Sequence, residues 1–278
     1  MKIFTTKNEV STYLKQLQAD GKKVGFVPTM GALHQGHLSL IAQAKQQADV
    51  VVCSIFVNPT QFTDPKDLEK YPRPIEADIL KLEQAGCDVL FNPPVTEMYN
   101  GPEEWHLNIG ELEHLLEGKF RPGHYQGVTQ VVNKLFSIIH PDVALFGQKD
   151  YQQVMVINRM VELLSLPVKV VMCAIEREPD GLAMSSRNIH LLATDRQHAL
   201  VLYRALQQAK ANYAAGQSID YVEQQAASMI SNEPDTQLEY FELADGQTLQ
   251  PATAQSKSLV ALVAARVGRT RLIDNVII

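Results

Sequence analysis

Apolar runs typical of buried strands alternate with helical stretches through the first 175 residues of the chain. The clearest helical stretch covers 127–140, where valine, leucine and isoleucine recur at helical spacing until Pro141 ends the pattern. Strands that alternate with helices predict right-handed crossovers and a parallel sheet, and hence an α/β fold with ligands beyond the carboxyl ends of the strands. The predicted strands lie at 24–27, 49–57, 87–91, 142–146 and 168–175.

This alternation ends at the turn Arg177-Glu178-Pro179-Asp180-Gly181. Two helix-like stretches follow, and after them come three β-rich segments, at 238–244, 258–267 and 271–277. We therefore predict a larger domain at 1–175 and a smaller α+β C-terminal domain at 176–278, with the Pro-Asp-Gly turn near the hinge.

The run PTMGALHQGHLSL at 28–40 follows the first of these predicted strands and leads into an amphipathic helix. The unpaired N–H groups and the positive dipole end of a helix start can hold phosphate. Gly31 and Gly36 permit close backbone approach to a ligand, and His34 and His37 can donate to phosphate or move protons. One alternative is that the histidines only cap or pack the turn. Another is that they bind a metal, but no acidic residue or cysteine lies close by in the sequence to complete the ligands. The pattern favours phosphate.

Composition excludes several classes of function. The formal charge of −6 leaves no basic surface for a nucleic acid, which argues against a tRNA-binding enzyme. Three cysteines, Cys53, Cys87 and Cys173, lie in apolar runs and are predicted to be buried small hydrophobic residues. The chain has no signal-peptide pattern and no apolar run of transmembrane length. We expect a cytoplasmic protein with no membrane partner.

Polar residues also follow other predicted strands. Lys149 projects after the strand 142–146, where its ammonium can neutralise phosphate, while Asp150 suits a helix N-cap or a ribose contact. Gln61 follows the strand 49–57 and can pair with a carboxylate or a hydroxyl, or simply be a polar loop residue.

The motif HQGH at 34–37 is the HxGH form of a signature found in nucleotidyltransferases and class I aminoacyl-tRNA synthetases. The longer string at 28–40 more narrowly resembles the pantoate–β-alanine ligase family. Four further blocks match that family in the expected order, namely Phe56–Phe62, Arg121–Tyr125, Phe146–Gln153 and Met184–Asn188.

This resemblance implies a Rossmann-like nucleotide-binding domain. The change of pattern after the Pro-Asp-Gly turn predicts that the small C-terminal domain acts as a lid. The resemblance also implies an ATP-dependent ligase that condenses pantoate with β-alanine through a pantoyl adenylate, giving pantothenate, AMP and pyrophosphate. The implied cofactors are ATP and Mg²⁺, and the implied assembly is a homodimer.

The resemblance further implies a role for each matching residue. The catalytic residues would be His34, His37 and Lys149. ATP binding is expected at Met30, Gly31, His34, Gly36, His37, Gly147, Lys149, Asp150, Glu176, Met184, Ser185, Ser186 and Arg187. Substrate binding is expected at Asn58, Gln61, Tyr71, Arg121 and Gln153. Asp78 is expected to bind magnesium, although its neighbours Ala77 and Ile79 provide no second acidic group, which leaves phosphate and water as further ligands.

Two other functions remain open at this point. A nucleotidyltransferase of the same superfamily would leave a dinucleotide product, and the requirement for a separate amine substrate distinguishes it from a ligase. A regulatory protein that binds nucleotide without turnover is opposed by the intact His34, His37, Lys149 and Arg187. A plain interaction module is disfavoured because several turns suited to phosphate lie at strand ends.

Overall fold

The computed structural model describes residues 1–101 and 103–278. These residues form two compact units. The first unit comprises Met1–Gly147 and Gln153–Cys173, and the second comprises Gln148–Gln152 and Ala174–Ile278. The second unit therefore includes a short segment, 148–152, that precedes the predicted division at 175.

The first unit is built on a parallel sheet that, within the described residues, has six strands in the order β1-β4-β3-β2-β5-β6. Its strands are β1 (Lys2–Phe4), β2 (Val24–Thr29), β3 (Val50–Ile55), β4 (Val89–Phe91), β5 (Val143–Gly147) and β6 (Lys169–Cys173). The predicted parallel sheet is confirmed. Strand β1 escaped prediction because it is a three-residue edge strand with two exposed residues. The strand order reverses between β2 and β5, and such a switch point opens a crevice at the carboxyl ends of the strands.

Helices cover both faces of this sheet. Side chains alternate along each strand. Phe26 and Val52 therefore pack on one face with the helices that carry Val10, Val128 and Ile157, and Val27 and Val51 pack on the other with the helices that carry Ile41 and Leu82. All three cysteines are buried on the second of these faces, as predicted. The helices of this unit are α1 (Lys7–Ala19), α2 (Gln35–Ala44), α3 (Pro65–Lys70), α4 (Ile75–Gln84), α5 (Val95–Met98), α6 (Leu116–Phe120), α7 (His124–Ile139) and most of α8 (Tyr151–Leu163).

The long helix α7 begins earlier than its apolar stripe indicates. Gly123, with φ +79°, precedes its first residue, His124, and His140 ends it in a left-handed conformation before Pro141. His124, which lies ahead of the predicted helical stretch at 127–140, is a buried helical residue. The stripe misplaced this end because His124 is polar, yet its ring is packed inside the unit.

The second unit has the predicted α+β composition. Its described residues form helices α9 (Ala193–Ala214) and α10 (Ile219–Ser231), and an antiparallel sheet of β7 (Thr236–Asp245), β8 (Leu259–Val267) and β9 (Thr270–Ile277) in that order. Apolar residues of both helices pack against β7 and β8. None of the helices in the described ranges has the apolar length of a membrane span.

Candidate active site

The turn that follows β2 is held in place by helix α4. Asp78 is 1% exposed, and its two carboxylate oxygens accept from the backbone N–H groups of Ala32 and Leu33 at 2.7 and 2.8 Å. Lys81, one turn along α4, donates from Nζ to the carbonyl of Leu33 at 2.6 Å. Gly31 has φ +83°, and a Cβ there would lie 3.1 Å from Asp78 Oδ2. Gly31, which was predicted to allow close approach of a ligand, therefore also leaves space for the Asp78 carboxylate.

Asp78 also offsets backbone strain in the turn. Ala32 has φ +51°, a left-handed conformation that costs a residue with a Cβ about 1–2 kcal/mol. A hydrogen bond to a charged acceptor contributes about 1.5–3 kcal/mol, which is enough to hold Ala32 in this conformation. The path of the chain into His34 therefore depends on a residue of another helix.

These contacts bear on the magnesium role expected of Asp78. Both of its oxygens already accept from backbone N–H groups, and Lys81 Nζ lies 3.9 Å from Oδ1. Across the described ranges, no group of three histidine, cysteine or acidic side chains is arranged to hold a metal ion. The protein residues alone do not fit a magnesium site here, and metal binding by Asp78 stays a prediction.

The two histidines cap the start of α2 through one nitrogen each. His34 is the N-cap, and its Nδ1 accepts from the N–H of Gly36 at 3.2 Å. The Nδ1 of His37 accepts from the N–H of His34 at 3.3 Å, and the two ring centroids are 4.1 Å apart. A nitrogen that accepts from N–H carries no proton, so each neutral ring carries its proton on Nε2. Capping and phosphate binding are therefore compatible, since they use opposite sides of the ring.

The loop after β3 is rigidly bonded around Asn58. This side chain is 1% exposed; its Nδ2 donates to the carbonyl of Gly127 at 3.1 Å and to Gln61 Oε1 at 3.3 Å. Its Oδ1 accepts from Tyr99 at 2.7 Å and from Thr60 at 3.2 Å. With both donors and the acceptor in use, the geometry favours a role for Asn58 in orienting Gln61 rather than in a direct substrate contact.

Helix α7 also holds the loop after β3, a contact that the sequence analysis did not predict. The Nδ1 of His124 lies 2.8 Å from the carbonyl oxygen of Gln61, so this nitrogen must be the protonated one. Gly127 lies so close to Thr60 that any Cβ would overlap the Thr60 carbonyl group. A glycine inside a strongly periodic helix was the available signal for this close approach.

Lys149 belongs to the second unit. It lies in the short 3₁₀ turn Gln148–Asp150, and its side chain is 18% exposed with Nζ 3.6 Å from Asp150 Oδ1. Gly147, the last residue of β5, has open space where a Cβ would stand. Packing within the described residues does not require that glycine, and its contact with ATP stays a prediction.

The Ser185–Arg187 segment starts another 3₁₀ turn, Ser186–His190. Ser185 is its N-cap, and its Oγ accepts from the N–H of Arg187 at 3.2 Å. The segment follows a short two-stranded ribbon in which the N–H of Met184 donates to the carbonyl of Glu176 at 3.0 Å. The Pro179-Asp180-Gly181 turn forms the tip of this ribbon, within the second unit.

The remaining candidates are placed as follows. Tyr71 is buried beyond the end of α3, with its ring against Phe62 at 5.8 Å between centroids. Arg121 follows α6 and Gln153 lies in the first turn of α8, and both are partly buried. The first unit holds the β2 turn, the 58–61 loop and these three residues, and the second holds Lys149, Asp150, Glu176 and Met184–Arg187. Their substrate contacts stay predictions.

Comparisons with known proteins agree along the whole chain. A family model described as Pantoate-beta-alanine ligase matches residues 2–277. The pantothenate synthetase of Koribacter versatilis (strain Ellin345) is 46% identical over 100% of this chain and 96% of that protein. The pantothenate synthetase of Pseudomonas fluorescens (strain SBW25) is 47% identical over 99% and 98%.

Solved structures give the same result. Pantothenate synthetase from Thermus thermophilus is similar with a TM-score of 0.94 at 41% identity, over 99% of both chains. Pantoate-beta-alanine ligase from Francisella tularensis, solved in complex with Beta-gamma ATP and beta-alanine, has a TM-score of 0.83 at 37% identity, over 100% of this chain and 97% of that one.

Proposed function

We propose that this chain, which belongs to the pantoate–β-alanine ligase family, joins its two substrates through a pantoyl adenylate and releases AMP and pyrophosphate. Family membership makes the chain a ligase that binds ATP and condenses pantoate with β-alanine. The route between substrates and products is the proposal.

The reaction would have two steps. A carboxylate oxygen of pantoate attacks the α-phosphorus of ATP, and the bond from that phosphorus to the bridging oxygen breaks to release pyrophosphate. The amine of β-alanine then attacks the activated carbonyl, AMP departs, and the amine loses a proton. No protein nucleophile takes part, so catalysis consists of positioning and charge stabilisation.

The observation that carries this proposal is the pair of histidines at the start of α2. Both rings are fixed by their Nδ1 atoms and present protonated Nε2 atoms at a helix N-terminus, where the dipole also favours negative charge. Such donors suit the charge that develops on an α-phosphate. Lys149 would add a compact positive charge, and Ser185, Ser186 and Arg187 would hold the departing pyrophosphate.

Gln61 and Gln153 would bind pantoate, in line with the family resemblance. The Oε1 of Gln61 accepts from Asn58, so its amide group is left oriented to donate to a hydroxyl or a carboxylate. ATP would enter as its magnesium salt, with phosphate oxygens and water as the principal ligands of the ion.

An omission assay tests the route. We expect continuous formation of AMP only when ATP, Mg²⁺, pantoate and β-alanine are all present. Exchange of labelled pyrophosphate into ATP should require ATP, Mg²⁺ and pantoate but no β-alanine. ADP and phosphate as products would mean an acyl-phosphate route and would reject the proposal. A dinucleotide product without any amine requirement would instead support the nucleotidyltransferase, and ATP binding without AMP formation would support the regulatory protein.

Two further features are also proposed for this chain, a homodimer from the family resemblance and a lid from the change of pattern after the Pro-Asp-Gly turn. A homodimer is expected, and light scattering coupled to gel filtration measures its mass. The part of the chain after about residue 178 is expected to close over bound nucleotide, so ATP with pantoate should protect 177–187 from proteolysis. Unaltered cleavage in that segment would remove the support for a lid.

A further inference from the structure

The last strand of the chain is bonded to the backbone that carries Lys149. Asn275, on β9, is 2% exposed, and its Nδ2 donates to the carbonyls of Gln148 at 2.9 Å and Lys149 at 3.0 Å. Its Oδ1 accepts from Gln148 Nε2 at 3.1 Å. The nitrogen and the oxygen of this buried amide therefore both bond to residues 148–149, the nitrogen to their two carbonyls and the oxygen to the side chain of Gln148. This explains why 148–152 belongs to the second unit although it follows β5 in sequence.

The neighbouring residue, Asp274, fixes Asn275 in turn. Its carboxylate accepts from both terminal nitrogens of Arg177, at 2.7 and 2.9 Å, and from the N–H of Asn275 at 2.7 Å. Arg177 also donates to the carbonyl of Asn275 at 3.3 Å and stacks on the ring of Tyr203 at 3.9 Å. Burial keeps the pKa of Asp274 above its ordinary value although the hydrogen bonds and charge of Arg177 act to lower it. The two side chains form a bidentate ion pair next to Asn275, with the carboxylate buried and the guanidinium half-buried.

Arg177 connects this group to the second segment expected to bind phosphate. It lies in the ribbon that precedes Ser185, pairs across it with Ala183, and donates to the Gly181 carbonyl at 3.1 Å. Gly181 has φ +95°, and a Cβ there would overlap the Tyr203 ring on which Arg177 stacks. One cluster of buried and half-buried side chains therefore holds both the backbone of Lys149 and the ribbon that leads into Ser185–Arg187.

We propose that Asn275 is a positioning residue for the ligase reaction, because it fixes the main chain at Lys149. The Arg177–Asp274 pair in turn fixes both Asn275 and the ribbon that leads into Ser185–Arg187. The proposal rests on the function proposed for Lys149. A lysine side chain has four rotatable bonds, so its ammonium acts as a preorganised donor only if the backbone beneath it is fixed. Asn275 fixes this backbone by donating to the carbonyls of Gln148 and Lys149. The Lys149 ammonium takes no part in these hydrogen bonds, so it can still contact phosphate.

A double-mutant cycle tests this coupling. In single turnover with ATP, Mg²⁺ and pantoate, Asn275→Ala should slow pantoyl adenylate formation by about tenfold or more, since a displacement of about 1 Å at a catalytic group costs up to ~10²-fold. The affinity for ATP should change by no more than about twofold. In a Lys149→Ala background the same Asn275 change should have almost no further effect on rate, because the group that it positions is gone. A purely structural role would lower the melting temperature and slow both backgrounds equally.

The control and a second variant keep the test decisive. Glu239→Gln removes the negative charge that accepts from Arg271 Nε at 2.8 Å, between β9 and β7 and away from 148–149, and should leave the rate unchanged. Asn275→Ser, a milder change that keeps one donor, serves if Asn275→Ala does not fold, and should give an intermediate loss of rate. Equal slowing in both backgrounds, or a normal rate in Asn275→Ala and Asn275→Ser, overturns the inference about Asn275 but leaves the proposed function of Lys149 intact. A normal rate in Lys149→Ala overturns the role of Lys149 and the inference with it.

Discussion

Single residues of the active site have two functions at once, and His37 is the clearest example. Its Nδ1 accepts from the backbone at the start of α2, and its Nε2–H is the donor proposed for phosphate. The first function is structural and the second is chemical, so a variant that keeps only one of them separates the two.

We predict that His37→Asn retains the fold and loses catalysis. An asparagine side chain supplies an acceptor close to the position of Nδ1 but has no atom at the position of Nε2. Its melting temperature should therefore stay near that of the wild type, while adenylate formation falls by about 10²-fold or more. His37→Ala should lose stability as well as rate, because the cap is also removed. Near-normal single-turnover kinetics in His37→Asn would contradict the proposed donor.

Lys149 gives a second prediction at this scale. Its side chain is 18% exposed, and its Nζ lies 3.6 Å from Asp150 Oδ1. Lys149→Ala should slow adenylate formation by roughly 10²- to 10³-fold with a smaller effect on ATP binding. Lys149→Arg should restore little, because a planar guanidinium does not reproduce a compact ammonium. A solvated lysine would instead give near-normal rates in both variants. An increase of about 1 kcal/mol or less in the activation free energy of adenylate formation in Lys149→Ala would exclude catalysis by this residue.

At the scale of elements, helices that contain no proposed catalytic residue hold the loops that do. Helix α4 bonds the turn after β2 through Asp78 and Lys81, and α7 bonds the 58–61 loop through His124 and the carbonyl of Gly127. Each loop is thus fixed by an element that lies far away in sequence. Mutations on these helices should alter the site without touching substrate.

Asp78→Asn tests this arrangement and the metal alternative together. An amide has one acceptor oxygen where the carboxylate has two, so one of the N–H groups of Ala32 and Leu33 would face an NH₂ group. We expect a loss of about 2–3 kcal/mol in the free energy of unfolding, measured with urea, and weaker ATP binding at any magnesium concentration. The exposed Glu76→Gln on the same helix is the matched control and should change neither quantity. Unaltered stability with an increased requirement for Mg²⁺ would identify Asp78 as a metal ligand instead.

At the scale of the whole molecule, three buried thiols make stability depend on alkaline pH. Burial raises the pKa of Cys87 and of Cys173 from 9.0 to about 11, and it also raises that of Cys53. Above pH 9 the unfolded chain loses these protons while the folded protein keeps them. Their contribution to stability is therefore complete below pH 9 and is lost as the pH rises toward 11.

The size of this effect can be measured with one variant. Between pH 8 and pH 10 a single thiol of this kind lowers the free energy of unfolding by about 1 kcal/mol. Cys87→Ala should be less stable than the wild type at pH 8, because a packed side chain is shortened. It should then lose about 1 kcal/mol less than the wild type over the same pH range, as followed by urea unfolding. Parallel pH profiles for the two proteins would show that Cys87 titrates normally.

The sequence by itself determined the secondary structure, the sheet and the family of this protein. The buried strand Val50–Ile55 and the amphipathic helix after the histidine turn have apolar patterns whose periods differ, and Pro and Gly mark where such patterns stop. Patterns of this kind are local, so a single chain is enough to interpret them. The motif blocks likewise carry their information in consecutive residues. Only short or polar elements escaped, such as β1 and the first turn of α7.

Only the tertiary structure decided what supports the predicted site residues. Asp78 contacts the turn after β2 from 46 residues away, His124 contacts Gln61 from 63 away, and Asn275 contacts Lys149 from 126 away. No local pattern encodes such pairs, because which side chains meet depends on how strands are ordered and how helices pack on them. Asp78, which the family resemblance implies as a magnesium ligand, is a buried acceptor for backbone N–H groups, since the fold brings those groups within 3 Å of it.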